Sequence, residues 1–166
     1  MTFLLFARKG GTVFKVPEDV RERLASFAQH EPHDLEAGGV LLGRILRNGG
    51  HVVVDTITTP QPADIRSRFS IIRDGDAHQV LIDLAWGGSA GTCGYLGEWH
   101  THPEADPVPS KVDLAQWKHR TIHDVYEGAG LLFVIVGTEL IRVWESHRAT
   151  NEITPCLLVE PQALAG

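Results

Sequence analysis

Four residues in one short stretch, His100, His102, Ser110 and Asp113, carry side chains that can hold a metal ion and work on a carbonyl group. The segment reads His100-Thr101-His102-Pro103, followed by Pro109-Ser110 and then Asp113. Two neutral imidazoles and a carboxylate make three ligands, and a catalytic zinc takes three protein ligands and keeps a fourth position for water. The parts are weak separately. Ser110 and Asp113 alone read as a helix capping box, and a His-x-His pair alone says little in a chain with nine histidines in 166 residues. At this chain's composition all four fall at these offsets by chance roughly once in a thousand, so the joint pattern outweighs its parts.

Peptide hydrolysis at such a centre also needs a carboxylate that takes the water's proton and hands it to the leaving amine. Two glutamates are candidates. Glu98 precedes His100 by two residues and shares its strand face. Glu36 is remote in sequence, but it stands directly before Gly38-Gly39 at the start of an apolar run, where backbone can approach the site.

This chemistry dictates its scaffold. Histidines at i and i+2 face together only on extended chain, so residues 93–101 are expected as a strand, favoured by Tyr95, Trp99 and Thr101 and stopped by Pro103. Residues 104–109, with Pro107 and Pro109, form a loop. Ser110 then caps a helix with Asp113 at N3 and an apolar stripe of Leu114, Trp117, Ile122 and Val125. A strand end and a helix start thereby meet at one point.

Upstream, residues 2–6 and 12–16 read as strands around Lys9-Gly10-Gly11, followed by a helix from Pro17 to about residue 29 carrying Val20, Leu24 and Phe27. His30 and His33 belong to a solvated loop, residues 36–47 contain a buried strand, Asn48-Gly49-Gly50 is a turn and residues 51–58 return as a strand. Residues 59–67 are a polar loop, the only segment long enough to act as a flap; a short strand at 69–72 and a helix at 76–86, closed by Gly87-Gly88, come next. Residues 131–136 and 140–146 look like a hairpin, and Pro155 confines a last strand at 153–159 to an edge. Trp86, Trp99, Trp117 and Trp144 are expected in the core, with Trp99 turned away from the ligand face. His119 and His123 are one helical turn apart, but Arg120 stands where the glutamate of a helical zinc motif would be. The predicted architecture is α/β (α+β), a mixed central sheet flanked by helices, in a single domain over residues 1–166.

Composition excludes several classes. Apolar residues at 43% and charged residues at 22% describe an ordinary globular chain. A net charge of -6 with no Lys/Arg cluster argues against a nucleic-acid partner. Residues 1–9 read as a strand rather than a signal peptide, and no run approaches the roughly 18 apolar residues of a membrane span. Cys93 and Cys156 suggest no disulfide framework and fit a reducing cytoplasm, so a cytoplasmic protein without a membrane partner is expected.

Glu36 ahead of Gly38-Gly39-Val40-Leu41-Leu42-Gly43, then His100-Thr101-His102-Pro103, then Pro109-Ser110 and Asp113, resembles the JAMM motif of MPN/JAB-domain metallopeptidases, which remove ubiquitin or ubiquitin-like proteins. The resemblance implies a cytidine-deaminase-like sandwich with one zinc per chain, held by His100, His102 and Asp113. It further implies that Glu36 polarises the water and that the Ser110 hydroxyl stabilises the oxyanion. Glu98 has no role in that motif and is assigned either to the groups that support the ligands from behind or to the cleft wall.

Gly97-Glu98-Trp99-His100-Thr101-His102-Pro103-Glu104, with Gly38-Gly39 and Pro109-Ser110, is similar to the small bacterial JAB peptidases of type II CBASS antiviral operons. In that group the enzyme is encoded beside a fused ubiquitin-activating/conjugating protein and a cyclic-oligonucleotide synthase, or CD-NTase, whose C-terminus becomes conjugated to targets. The implied activity is isopeptidase cleavage of the bond joining a CD-NTase or ubiquitin-like C-terminus to a target lysine or a C-terminal extension. Relatives that trim sulfur-carrier proteins share the motif. A non-catalytic MPN scaffold is the other alternative, although such modules usually lack a ligand and this chain lacks none. With little room for the insertions of larger eukaryotic members, no ubiquitin-chain linkage preference is expected; an extended tail held by strand addition is the minimum.

Overall fold

The computed structural model describes residues 3–48 and 50–159. Thr2 of the expected first strand, Gly49 of the expected turn and residues 160–166 of the expected domain lie outside them. In chain order the elements are β1 (Leu4–Ala7), β2 (Val13–Val16), α1 (Glu18–Ala25), β3 (Gly38–Ile45), β4 (Val52–Ile57), β5 (Ile65–Ser67), β6 (Ser70–Ile72), α2 (Gly75–Gly88), β7 (Gly94–Thr101), α3 (Lys111–His123), β8 (Leu132–Val136), β9 (Ile141–Ser146) and β10 (Ile153–Leu158).

The expected mixed sheet is present, and it curls until its ends meet in the order β1-β10-β9-β8-β7-β3-β4-β2. The β2–β4 and β7–β8 pairs are parallel and the other pairs of this sheet antiparallel. Phe6, Phe14, Leu41, Val54, Trp99 and Val134 fill the interior, to which α1 adds Val20 and Leu24. The outer face is covered by helices: Trp117 of α3 packs with Phe133 and Ile135, and Ile82 and Ala85 of α2 pack on Val40 and Leu42. β3 is therefore buried on both faces, which is why Val40, Leu41 and Leu42 read as a continuous apolar run.

A bulge in β7 aims the site. The β3–β7 register runs Gly38↔His100, Gly39↔Trp99, Val40↔Glu98 and Leu41↔Gly97, then skips so that Leu42 faces Tyr95. Gly97 sits at φ +143, where a Cβ would fall 1.8 Å from the Leu132 carbonyl oxygen, so only glycine fits. The extra residue resets the alternation: Leu96 and Trp99 both enter the interior cluster, while Tyr95 joins the outer cores and His100 lies beside Trp117 of α3. An unbroken strand would have buried the histidine face.

Several expectations are corrected. α1 ends at Ala25, short of residue 29, and Pro17 is its cap. The next amides, Phe27 and Ala28, bond three residues back, and Gln29 spends its side chain on Asp34, Arg68 and Thr101 instead. The buried face of α3 is Trp117 and Thr121, with Leu114 partly buried; Ile122 is half exposed and Val125, beyond the helix, is 94% exposed. Thr121 hides its polarity by donating to the Trp117 carbonyl, so a polar residue occupies an apolar stripe. Trp86 is exposed at 44%, whereas Trp99 and Trp117 are buried. β10 is not an edge strand, since it lies between β1 and β9. Pro155 is tolerated because it faces Trp144 of β9 at a position where β1 makes no pairing. Residues 65–67 leave the expected loop to form β5, which pairs with β6 as a separate hairpin.

Candidate metal centre and its cleft

His100 is near the end of β7 and His102 lies just past it, tied by its amide to the Val136 carbonyl of β8. Asp113 comes from the first turn of α3. There the Ser110 hydroxyl oxygen accepts the Asp113 N–H at 3.0 Å and Asp113 Oδ2 accepts the Ser110 N–H at 2.8 Å. This reciprocal capping box fixes the carboxylate against the strand end. The His100 and His102 Nε2 atoms are 3.0 Å apart, and Asp113 Oδ2 lies 3.3 and 3.2 Å from them.

The triangle passes a simple test of fit. Tetrahedral zinc with bonds of about 2.0 Å separates neighbouring ligand atoms by about 3.3 Å, close to the three edges found. Among the described residues no other cluster of three or more histidine, cysteine or acidic side chains converges in this way. His119 and His123 stack on each other at 4.1 Å and recruit no third ligand. Beyond the triangle, His102 Nδ1 lies 3.5 Å from Glu104, a partner that can orient the ring.

Register delivers the fourth group. Gly38 faces His100, Ala37 exchanges bonds with Thr101 through its N–H and its carbonyl, and continuing two residues places Glu36 alongside His102. A Cβ on Gly38 would come within 2.8 Å of the Trp99 carbonyl, so this close approach needs glycine. Glu36 is only 7% exposed and lines a cleft of about 420 Å³ together with His100 and Asp113.

The two carboxylates have opposite electrostatic fates. Burial pushes Glu36 up from its ordinary 4.5 to about 7, against the pull of His100 and His102 and with a push from Asp113. Burial opposes the charge of Asp113 as well, but bonds from both histidines and the Ser110 N–H hold it well below the usual carboxylate range. His102 is raised: its burial is outweighed by the bond to Asp113 and by the nearby acids.

Glu98 does line the cleft, with its carboxylate already taken. It is bonded to the partly buried Arg73 guanidinium and lies 3.2 Å from Arg120, while Arg73 also donates to the Gly39 carbonyl. These two arginines, one after β6 and one on α3, had no signal in the sequence because the fold alone brings them to Glu98. Ser110 is exposed and is not among the residues lining the cleft; its hydroxyl oxygen accepts the Asp113 N–H, a bond that does not use the hydroxyl's own proton.

Trp99 packs under the site as its alternation required, 1% exposed, against Phe27 and with its indole N–H on the Thr58 carbonyl. The flanking Thr101 accepts the Ala37 N–H and donates to Gln29. Cys93 and Cys156 are buried free thiols, and no described helix is long and apolar enough to cross a membrane.

Two histidines and an aspartate converging beside a buried glutamate, on a curled mixed sheet with helices outside, fit a JAB-type metal-dependent peptidase. The chain belongs to the family described as prokaryotic homologs of the JAB domain, whose model matches residues 17–149. It is 39% identical over 134 residues to a CD-NTase/cGAS isopeptidase of Vibrio cholerae, covering 81% of this chain and 82% of that one. A second protein of that name, from Escherichia coli, is 33% identical over 138 residues and 83% of both chains. In solved structures the fold resembles a protein of Desulfitobacterium hafniense, with a TM-score of 0.57 at 20% identity, over 84% of this chain and 87% of the other.

Proposed function

We propose that this protein is a zinc-dependent isopeptidase that releases a CD-NTase C-terminus from a target lysine or from a C-terminal extension. The observation that carries the reading is the triangle of His100, His102 and Asp113 closing to ligand spacing beside a buried glutamate. Relatives named CD-NTase/cGAS isopeptidase, at 33% identity and above over most of the chain, supply the substrate class.

Zinc held by His100 Nε2, His102 Nε2 and Asp113 Oδ2 would act as a Lewis acid on the scissile carbonyl and acidify the attacking water. Glu36 takes the water's proton on its carboxylate and passes it to the departing lysine amine. Its burial makes that carboxylate a stronger base than an exposed glutamate. The Ser110 hydroxyl, whose oxygen is fixed by the Asp113 N–H, donates its own proton as a hydrogen bond to the oxyanion. Amide and water go in, and carboxylic acid and amine come out. Arg73 and Arg120 hold Glu98 out of competition for the water.

In a type II CBASS setting the opposing ligase would be a fused ubiquitin-activating/conjugating protein, and the compartment the cytoplasm. The test is cleavage of a CD-NTase carrying a C-terminal fusion, followed by mass spectrometry of the new terminus. Cleavage directly after the native last residue, stopped by chelation and restored by zinc, is expected. An intact fusion in the presence of zinc sinks the reading.

A further inference from the structure

Glu36 lies outside the regular part of β3, and its main chain is held by neither neighbour in the large sheet. Its N–H donates to the Ser67 carbonyl at 2.7 Å and its carbonyl accepts the Arg66 Nε–H at 2.7 Å, so both backbone groups are satisfied by the β5–β6 hairpin. The same guanidinium also donates to the Leu35 carbonyl at 3.3 Å. One step further along, the Arg68 carbonyl is bound by the buried Gln29, whose other end accepts from Thr101 between the two histidines. A hairpin separate from the main sheet is thereby laced onto the 34–37 segment, and Arg66 is its only side-chain bond to Glu36 itself among the described residues.

We propose that Arg66 is a positioning residue for Glu36, so that the hairpin sets the geometry of the proton-transferring carboxylate while leaving the metal ligands alone. The inference rests on Glu36 acting as the base. Charge-assisted bonds from a guanidinium are directional and about twice as strong as neutral ones, and those to the Leu35 and Glu36 carbonyls restrain both peptide units flanking the Glu36 Cα, the first of which carries the Glu36 N–H. The ligand triangle has its own supports in the capping box and in the pairing of β7 with β8, and the hairpin's link to β7, through Gln29 to Thr101, runs from the Arg68 carbonyl and not from the Arg66 side chain.

Arg66→Ala and Arg66→Lys in the zinc-loaded full chain test this, with kcat and KM measured separately on the fusion substrate and amide hydrogen exchange read at Glu36. Arg66→Ala is expected to lower kcat roughly 10–100-fold, with KM and zinc content within about twofold of the parent. Exchange of the Glu36 amide should quicken about tenfold, while the Ala37 amide, bonded to Thr101, stays protected. Arg66→Lys, which keeps the charge and one reachable donor, should recover part of both losses, and it carries both readouts if the alanine variant does not fold. Unchanged Glu36 exchange, a loss confined to KM, or a loss of zinc overturns the proposal. Should Glu36→Gln itself retain cleavage, the base assignment fails, and the exchange result still stands on its own.

Discussion

The two halves of the cleft are built on different principles. The proposed metal half sits on interlocked structure: β7 is paired on both sides, and Asp113 is locked by a capping box on a helix whose Trp117 is buried in the outer core. The proposed base half is one residue, Glu36, on a segment tied to a hairpin that stands outside the main sheet and exposes Ile65, Phe69 and Ile72. Electrostatics divides them in the same way, since Asp113 is stabilised as an anion by three donors while burial favours the neutral form of Glu36. One fold thus favours the charged form of one carboxylate and the neutral form of another in the same cleft, the division that the proposed ligand and base roles require.

The largest effect should come from the metal half. Asp113→Ala removes a ligand and its capping bond together, and cleavage and bound metal are expected to vanish in parallel, as read by metal analysis and fusion cleavage. His100→Ala should do the same. A variant that keeps stoichiometric metal with either ligand gone would break the division, because another group would have to be supplying the site.

Next comes Glu36→Gln, close to isosteric but unable to accept the proton. Zinc should remain at one per chain while kcat falls roughly 10³-fold. Loss of zinc in this variant would mean that the two halves are not separable, and retained activity would return Glu98 as the rival base.

How much of this was readable from the sequence divides along the same line. The convergence of His100, His102 and Asp113 was legible because its parts are local: an i, i+2 pair, a proline stop and a capping box each have short-range rules. Glu36 was legible only as one of two candidates until the resemblance favoured it. Its support was hidden, because Arg66, Ser67 and Gln29 meet it through tertiary contacts that leave no periodic trace. Closure of the sheet was hidden likewise, since it depends on pairing the first strand with the last and β2 with β4. The Gly97 bulge is a special case: the glycine is visible in the sequence, but its effect on alternation appears only when Leu96 and Trp99 are seen on one face.

A smaller effect tests the electrostatic contrast in metal-free protein. The unfolded chain releases the Glu36 proton near 4.5 and the folded chain near 7, so between those values the folded state binds more protons. Stability then falls as pH rises through that window, by about 3 kcal/mol at most. Asp113, whose folded value is depressed, adds stability that is lost only on acidification below the window. His102, raised, adds stability that fades as pH climbs through and above its ordinary 6.5, and Glu36→Gln leaves most of that behaviour in place. Chemical denaturation of wild type and Glu36→Gln in chelator, from pH 4.5 to 8, should give curves that separate with rising pH, the variant becoming the more stable. Parallel curves would remove the contrast.

The smallest effect distinguishes two jobs of one residue. Ser110 caps α3 and is proposed to donate to the oxyanion, and an alanine there loses both functions at once. Glycine separates them: replacing a Ser cap by Ala costs about 1 kcal/mol, but replacing it by Gly costs only a few tenths. Ser110→Ala should therefore lower both Tm and kcat, whereas Ser110→Gly should leave Tm and zinc content close to wild type and still lower kcat by roughly tenfold or more. If Ser110→Gly cleaves at the wild-type rate, Ser110 belongs wholly to the metal half, as the residue that holds Asp113 in place. A slow but stable Ser110→Gly would instead make Ser110 the one residue serving both halves, which is physically reasonable for a hydroxyl that accepts one bond along the helix and donates another toward the substrate.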